Sequence, residues 1–414
     1  MSRIGIDTGG TFTDFIWVDA AGRLRLHKEP STPDDPSRAV VAGLAASGAP
    51  EGADVVHGST VATNALLQRR GAPTALIATE GFADVLAIGR QNRPDLYALV
   101  PQKPPPLVPR QWRFEVQERI GADGEVVRPL DEASLAEVVE RVAAAEVESV
   151  AVCLLFSFLR PEHEQRIGAA IRARLPGIHV SLSCDILPEY REYERMATTV
   201  INATVAPLMG RYLARLAKRL APRRLAVMQS NGGIISAALA GAQAARTALS
   251  GPAGGVVGAR FVAGAAGPEG AGYDDIITFD MGGTSTDVAL CAGQTPTTTE
   301  GMIAELPLRL PLIDIHTVGA GGGSLAYLDA GGALQVGPQS AGAWPGPACY
   351  HADYEAWRRL TDDDRPPAAA DTTGDRRRQT AAVSYTHLRA HETVLDLVCR
   401  LLLAKKKTPT HPSC

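Results

Sequence analysis

The chain has 414 residues and a formal net charge of −4, with 45% hydrophobic and 21% charged residues. This length exceeds one ordinary domain, so we expect two. Acids and bases are interleaved, which excludes the basic surface of a nucleic-acid-binding protein. No apolar run reaches the ~18 residues of a membrane span, so we predict a cytoplasmic location without a membrane segment. The six cysteines form no C-x-x-C pair, which argues against zinc or a disulfide framework and favours buried thiols.

The chain opens with a predicted β-hairpin. A strand over residues 4–7 is followed by the turn Gly9-Gly10-Thr11 and a second strand over 12–18. The glycine pair lets the main chain approach a ligand closely, and successive turn N–H groups can form an anion-binding concavity. Asp7, at the end of the first strand, supplies the kind of oxygen ligand that Mg²⁺ takes beside phosphate oxygens.

A helix over 38–47 and a strand over 54–57 are predicted next. The strand ends at His57, and a polar loop with Ser59 or Thr60 as N-cap begins another helix. His57 is placed where a substrate group is held or a proton moved. His57 is interpreted either as a structural histidine or as part of a functional polar cluster with Asn64, and the two interpretations have equal weight.

Helices and strands then alternate along the chain. We predict a helix over 131–145, a strand over 150–156, a helix over 161–175 and a long helix over 196–220. This alternation indicates an α/β protein with partly parallel sheets. The charged stretch 188–195 is interpreted as a solvated helix face with i,i+4 ion pairs, and a contact between lobes or subunits is the alternative.

The opening pattern returns in residues 278–288. It contains an apolar run, Asp280, the turn Gly282-Gly283-Thr284, and Asp287 seven residues after the first acid, as Asp14 follows Asp7. One such pattern is typical of an ordinary glycine-rich hairpin. Two copies with matched acids predict two hairpins that bind one polyphosphate, and hence an ATP-using enzyme.

A glycine run over 319–323 follows, just after Asp314 and His316. These glycines either approach a nucleotide or substrate closely or only form a turn. Together, residues of the two hairpins and this run carry the predicted site.

Seven segments together resemble the hydantoinase A family: residues 7–14, 57–65, 188–195, 250–255, 279–287, 314–324 and 337–350. The resemblance covers residues 1–350. The family includes N-methylhydantoinase A subunits, 5-oxoprolinase and the β-type subunit of acetone carboxylase.

The resemblance implies an actin-like, sugar-kinase-like ATPase with two ribonuclease-H-like lobes, one hairpin in each lobe and ATP between them. We therefore divide the chain into an N-terminal lobe, 1–185, and a second lobe, 186–350. The family's chemistry implies that ATP phosphorylates the carbonyl oxygen of a cyclic amide of the hydantoin or 5-oxoproline type. A hydantoinase B-type partner subunit and an oligomeric full-length protein are expected. Mg²⁺ is the expected metal, with Mn²⁺ or K⁺ as alternatives.

Site roles follow from this resemblance and from the residue chemistry. Asp7 and Asp280 are predicted to hold Mg²⁺ or orient water. Asp14 and Asp287 either contact the metal, with Asp287 as the predicted ligand, or only hydrogen-bond their hairpins. His57 and His316 are the other catalytic candidates, and Ser59, Thr60 and Asn64 are substrate contacts. The predicted phosphate contacts are Gly9, Gly10, Thr11, Thr13, Gly282, Gly283, Thr284, Gly321 and Gly322.

Residues 351–414 do not continue the family pattern. They are charged and Pro/Ala-rich, and 383–403 resembles the translation of a sequencing adapter, which favours a non-native tail over a genuine helix. The second lobe is then incomplete, so we expect weak ATP binding or low stability. Three alternatives to cyclic-amide hydrolysis stay open: a subunit that phosphorylates a ketone or bicarbonate, a non-catalytic actin-like nucleotide switch, and an inactive fragment.

Overall fold

A computed structural model describes residues 2–341 except 10, 11, 33, 94, 95, 101–103, 267–270, 284, 304 and 330, together with 381 and 382. It divides the chain into two compact units, each discontinuous in sequence. The first unit contains Gly52–Ser250 and Thr297–Leu312; the second contains Ser2–Glu51, Gly251–Pro296 and the described residues from 313 onward. This division does not test the predicted lobe boundaries at 185 and 350, which stay predictions. The predicted tail, 351–414, lies almost wholly outside the described residues.

The described strands are β1 Arg3–Thr8, β2 Phe12–Val18, β3 Leu24–Pro30, β4 Asp54–Ser59, β5 Thr74–Thr79, β6 Arg113–Val116, β7 Arg119–Ile120, β8 Val126–Arg128, β9 Ser149–Cys153, β10 His179–Leu182, β11 Leu225–Met228, β12 Ile234–Ser236, β13 Asp275–Met281, β14 Thr286–Ala292, β15 Thr297–Thr298, β16 Gly301–Ile303, β17 Leu306–Leu308, β18 Leu312–Ile313, β19 His316–Val318, β20 Ser324–Leu328, β21 Leu334–Ser340 and β22 Ala381–Ala382. The described α-helices are α1 Pro36–Ser47, α2 Val61–Leu67, α3 Val85–Ile88, α4 Glu132–Ala144, α5 Glu162–Arg174, α6 Ser183–Ile186, α7 Glu192–Leu220, α8 Ala237–Ala242 and α9 Ser250–Ala265.

The first unit is built on a parallel sheet with strand order β10-β9-β5-β6. Alternate residues of β5 enter two different cores: Ile77 packs with α4 and α5, whereas Leu76 packs with α7. All six residues of β5 are buried because helices cover both faces of the sheet. The predicted α/β class and parallel pairing are confirmed.

Helix α7 begins at Glu192, four residues earlier than predicted, and so includes part of the charged stretch. The prediction of a solvated face is wrong for Arg195, which is 0% exposed. Its guanidinium donates to the Ser157 hydroxyl at 2.7 Å and to the Leu154 carbonyl at 2.8 Å. Arg195 therefore joins α7 to the chain that follows β9. Strand β9 also ends three residues earlier than predicted, at Cys153.

Glu164, on α5, is a buried acceptor at the carboxyl edge of this sheet. Its carboxylate accepts from the Leu154 N–H at 2.8 Å, the Ser183 hydroxyl at 2.7 Å and the Cys184 N–H at 2.9 Å. These donors follow β9 and β10 in the chain, so one carboxylate fixes the ends of two neighbouring strands.

The second unit carries the repeated motif on two sets of antiparallel strands. β1, β2 and β3 are neighbours in chain order, and β13, β14 and β19 form the second sheet in that order. Helix α9 covers β13 and β14 through a core that includes Val256, Ile276 and Ala289. Both motif copies lie in one compact unit; the assignment of one hairpin to each lobe stays a prediction.

Two smaller expectations concern cysteines and membranes. Cys153 and Cys291 are free and buried, as predicted, whereas Cys184 is partly exposed; Cys349, Cys399 and Cys414 lie outside the described residues. Within the described part of the chain, no helix has the length and apolarity needed to cross a membrane.

Glu164→Gln is expected to lower the free energy of unfolding by about 2 kcal/mol, because an amide replaces one acceptor oxygen with a donor that faces a buried N–H. The urea-unfolding midpoint measures this loss. Glu162→Gln, an exposed position on the same helix, is the matched control and should change the free energy by less than about 0.5 kcal/mol. Equal midpoints for the two variants would contradict the assigned role of Glu164.

Candidate functional site

The first motif copy forms the hairpin β1–β2. Asp7 is paired with Asp14 in the antiparallel register, and the Gly9 N–H donates to the Phe12 carbonyl at 3.0 Å. Directly paired residues of an antiparallel ladder project from the same face, so the two carboxylates are neighbours. Gly10 and Thr11, at the tip of the turn, lie outside the described residues.

The second copy forms the hairpin β13–β14 with the same pairing. Asp280 is the register partner of Asp287, and the Gly282 N–H donates to the Ser285 carbonyl at 2.9 Å. In both copies the closing bond joins the second and fifth residues after the first acid. The sequence prediction of two equivalent hairpins with matched acids is confirmed; Thr284 lies outside the described residues.

A third strand extends each acid pair into a row of three residues. Lys28 of β3 is paired with Asp14, and its Nζ lies 2.8 Å from Asp14 Oδ1. Thr317 of β19 is paired with Asp287, and its hydroxyl donates to Asp287 Oδ1 at 2.5 Å. The rows are therefore Asp-Asp-Lys in one sheet and Asp-Asp-Thr in the other.

Each turn is supported through its carbonyl groups. The Ser31 hydroxyl donates to the Gly9 carbonyl at 2.8 Å and lies 3.1 Å from the buried Thr13 hydroxyl. In the second turn, the Gly322 N–H donates to the Gly282 carbonyl at 3.0 Å, and the Gly323 N–H donates to the Gly283 carbonyl at 2.6 Å. Because carbonyl oxygens repel phosphate, engaging them with protein donors suits a turn that receives an anion.

The acids have raised pKa values. Burial, then the charges of Asp14 and Asp280, raises the pKa of Asp7 to about 7. Burial, then the charges of Asp287 and Asp14, raises the pKa of Asp280 to about 6. Burial also raises the pKa values of Asp14 and Asp287, which Lys28 and Thr317 respectively lower. Acids of both hairpins thus act on one another.

The donor set fits a hard divalent cation. Asp7 Oδ1 is a buried oxygen with no hydrogen-bond partner among the described residues, so a ligand would satisfy it. Carboxylate oxygens suit Mg²⁺, which usually takes one or two of them and completes its shell with water and phosphate oxygens. No set of three or more His, Cys, Asp and Glu side chains within the described residues could hold a metal ion. A cation here would therefore need further oxygen ligands, from water or from the phosphates of a bound nucleotide.

Gly255 of α9 is a site residue to which the sequence analysis assigned no role. A Cβ at this position would lie 3.0 Å from Asp280 Oδ2, so an added methyl group would push this carboxylate by a few tenths of an ångström. Lys28, Ser31 and Thr317 were also missed. Lys28 could have been found by counting pairs outward from the turn around Ala21, which places it opposite Asp14.

The predicted substrate residues lie on β4 and α2 of the first unit. His57 is 0% exposed, and its Nε2 lies 2.7 Å from the Tyr212 hydroxyl. The Ser59 hydroxyl accepts from the Val61 N–H at 3.2 Å, and Asn64 donates to the Thr60 hydroxyl at 3.2 Å. The N-cap position is Thr60. The functional roles of these residues stay predictions.

The remaining predicted residues follow the second hairpin. His316 is exposed on β19, opposite Val288. Gly321 and Gly322 are buried: the Gly321 N–H donates to the Ser324 hydroxyl at 2.8 Å, and the Gly322 N–H supports the turn as described. Their direct contact with a nucleotide stays a prediction.

The fold and the site define the class: an α/β protein with a duplicated Asp-Gly-Gly hairpin. The chain belongs to the hydantoinase/oxoprolinase family. Residues 3–175 match the hydantoinase/oxoprolinase N-terminal region, and residues 195–357 match the hydantoinase/oxoprolinase domain. The family resemblance found in the sequence is confirmed.

Three relatives illustrate the match. Caprolactamase subunit alpha of Pseudomonas jessenii is 39% identical, covering 84% of this chain and 52% of the relative. 5-Oxoprolinase 1 of Arabidopsis thaliana is 34% identical, covering 85% of this chain and 30% of the relative. A nucleotide-free structure of acetone carboxylase, an enzyme of ATP-dependent acetone carboxylation, matches with a TM-score of 0.71 at 33% identity, covering 85% of this chain and 52% of that one. The chain thus spans about half the length of two of these relatives, and less of the third.

The raised pKa of Asp7 predicts a stability penalty at neutral pH. The folded chain binds this proton more tightly than the unfolded chain, so the nucleotide-free protein loses stability as pH rises from about 4 to about 7. Asp7→Asn removes the penalty and should raise the free energy of unfolding at pH 8 by about 2 kcal/mol. Urea unfolding at pH 5 and pH 8 measures the effect.

Asp19→Asn, in the turn between β2 and β3, is the control. Hydrogen bonds from Arg23, Ala21 and Arg25 lower the pKa of Asp19, so its substitution should destabilise the chain at pH 8. An Asp7→Asn variant less stable than the unmodified chain at pH 8 would contradict the burial of an ionisable Asp7.

Gly255→Ala is expected to weaken binding of the Mg²⁺–nucleotide complex several-fold, because the added methyl group pushes the Asp280 carboxylate by a few tenths of an ångström. Gly258→Ala, on the same helix, meets no atom within 4 Å and should bind normally while stabilising α9 by about 1 kcal/mol. Titration calorimetry compares the two variants. Equal affinities would show that Gly255 does not position the acid.

Proposed function

We propose that this chain is the phosphorylating subunit of an ATP-dependent enzyme that activates and opens a cyclic amide. The observation that carries this proposal is the matched pair of hairpins, with the same acid register and the same closing hydrogen bond in both. The family's caprolactamase and 5-oxoprolinase members support an amide as the substrate. An actin-like architecture is part of the proposal.

The two hairpins divide the work of holding Mg²⁺ and ATP. Asp7 and Asp280 hold the metal together with oxygens of the nucleotide, and Asp287 assists indirectly, because the described side chains provide no set of three metal-holding groups. Main-chain and hydroxyl donors of both turns hold the phosphates: Gly9, Gly10, Thr11, Thr13, Gly282, Gly283 and Thr284. Phosphoryl transfer depends mainly on such positioning and charge neutralisation.

ATP supplies a phosphoryl group that makes the amide oxygen a leaving group and the amide carbon a better electrophile. The hairpins' part is to position the phosphates for transfer and to exclude water from them. His57, with Ser59, Thr60 and Asn64, is proposed to hold the cyclic amide. His316 is proposed to move a proton near the second hairpin. A hydantoinase B-type subunit would complete the reaction in an oligomer.

A second candidate is phosphorylation of a ketone or bicarbonate. The acetone carboxylase structure and the crystal structure of ATP-dependent caprolactamase match this chain with the same TM-score, 0.71. The fold therefore does not favour one substrate class over the other. A nucleotide switch without chemistry is the third candidate.

Phosphate release distinguishes the candidates. With ATP, Mg²⁺ and a hydantoinase B-type subunit, we expect release stimulated by caprolactam, 5-oxoproline or hydantoin. Asp7→Asn and Asp280→Asn should each lower the stimulated rate at least about 100-fold, because each removes a carboxylate that holds the Mg²⁺ of the reacting phosphates. Asp19→Asn should leave it unchanged. Stimulation only by acetone with bicarbonate would favour the second candidate, and nucleotide binding with no stimulation the third.

A further inference from the structure

The two acid rows differ at one position. Both sheets pair an acid at the end of one strand with an acid on the next, but the third residue is Lys28 in the first sheet and Thr317 in the second. A hydroxyl group satisfies Asp287 without adding charge. The lysine instead adds a cation to a site otherwise made of carboxylates. The near-symmetry of the hairpins therefore breaks at Lys28.

The ammonium group of Lys28 is held from two sides. Nζ lies 2.8 Å from Asp14 Oδ1 and 4.8 Å from the centroid of the Phe12 ring. The side chain is 19% exposed, so the group is partly covered yet reachable by a ligand. Phe12 directly follows the turn, which places the ammonium group close to the predicted phosphate position.

Lys28 also acts beyond its ion pair. Among the described residues, its charge is the one that lowers the pKa values of Asp7, Asp14 and Asp280 alike. A polyphosphate entering beside these acids needs a cation besides its metal, because like charges repel strongly where water is scarce. A lysine can contact a carboxylate first and a phosphate afterwards, since its compact charge sits on a flexible stem with three donors.

We propose that Lys28 is a phosphate ligand of the nucleotide site and that Asp14 holds its ammonium group until the nucleotide binds. The inference rests on the proposed function, because the phosphate is that of ATP. On binding, the Lys28 ammonium exchanges a carboxylate oxygen of Asp14 for a phosphate oxygen. Asp14 is then a positioning residue, not a metal ligand.

The competing explanation is that Lys28 only neutralises Asp14 within the sheet. Titration calorimetry with Mg²⁺–ATP and Mg²⁺–ADP separates the two, using Lys28→Gln, Asp14→Asn and the double variant. A phosphate ligand predicts that Lys28→Gln weakens ATP binding at least about tenfold, and that the double variant stays equally weak. A neutralising role predicts that the double variant recovers the original affinity, which would overturn the proposal.

Salt dependence and a control complete the test. Lys28→Gln and the double variant should both flatten the decrease of affinity with rising KCl, since one phosphate contact is lost. Arg25→Gln removes the same charge from the same strand, where Arg25 pairs with Asp19 at 2.8 Å, and should leave affinity within about twofold. If Lys28→Gln alone does not fold, the nucleotide affinity of the double variant, which has no unpaired acid at position 14, is compared with that of the unmodified chain. Normal binding by the Lys28 variants refutes this inference alone and leaves the proposed function standing, since amide-stimulated phosphate release tests that function separately.

Discussion

The site depends on carboxylates that lie opposite one another within each of two antiparallel hairpins and that repel the carboxylates of the other hairpin. Each hairpin places one acid directly opposite another, and burial raises the pKa values of all four. Such an arrangement of carboxylates is unfavourable by itself, and a bound cation would offset the repulsion. The supporting contacts serve this purpose: Ser31 and Gly322 hold the turns, and Gly255 leaves space for Asp280.

The hairpins were predictable because their determinants are local. An apolar run, two glycines and an acid at each end fix a tight turn, and the turn fixes the register that pairs Asp7 with Asp14. Lys28 and Thr317 were not found because the strands that carry them have no motif of their own. Gly255 was not assigned because its reason is a distance to Asp280, which only the tertiary structure gives.

Burial of charge was the least predictable feature. A dense run of acids and bases is usually solvated, and the pattern does not mark Arg195 as the exception that bonds Ser157 and Leu154. The division into compact units was equally unpredictable from the sequence, because each unit joins segments that are far apart in the chain. Local pattern therefore gave the element types and the hairpins, whereas the packing partners of polar residues required the structure.

The central claim is that two hairpins distant in sequence bind one polyphosphate. Hydrogen–deuterium exchange of the chain with and without Mg²⁺–ATP tests this most directly, because it reports on both turns in one experiment. The claim predicts slower exchange in residues 7–14 and 280–287 together, at the same nucleotide concentration. Protection of one hairpin alone, or of neither while the nucleotide is bound, would contradict it.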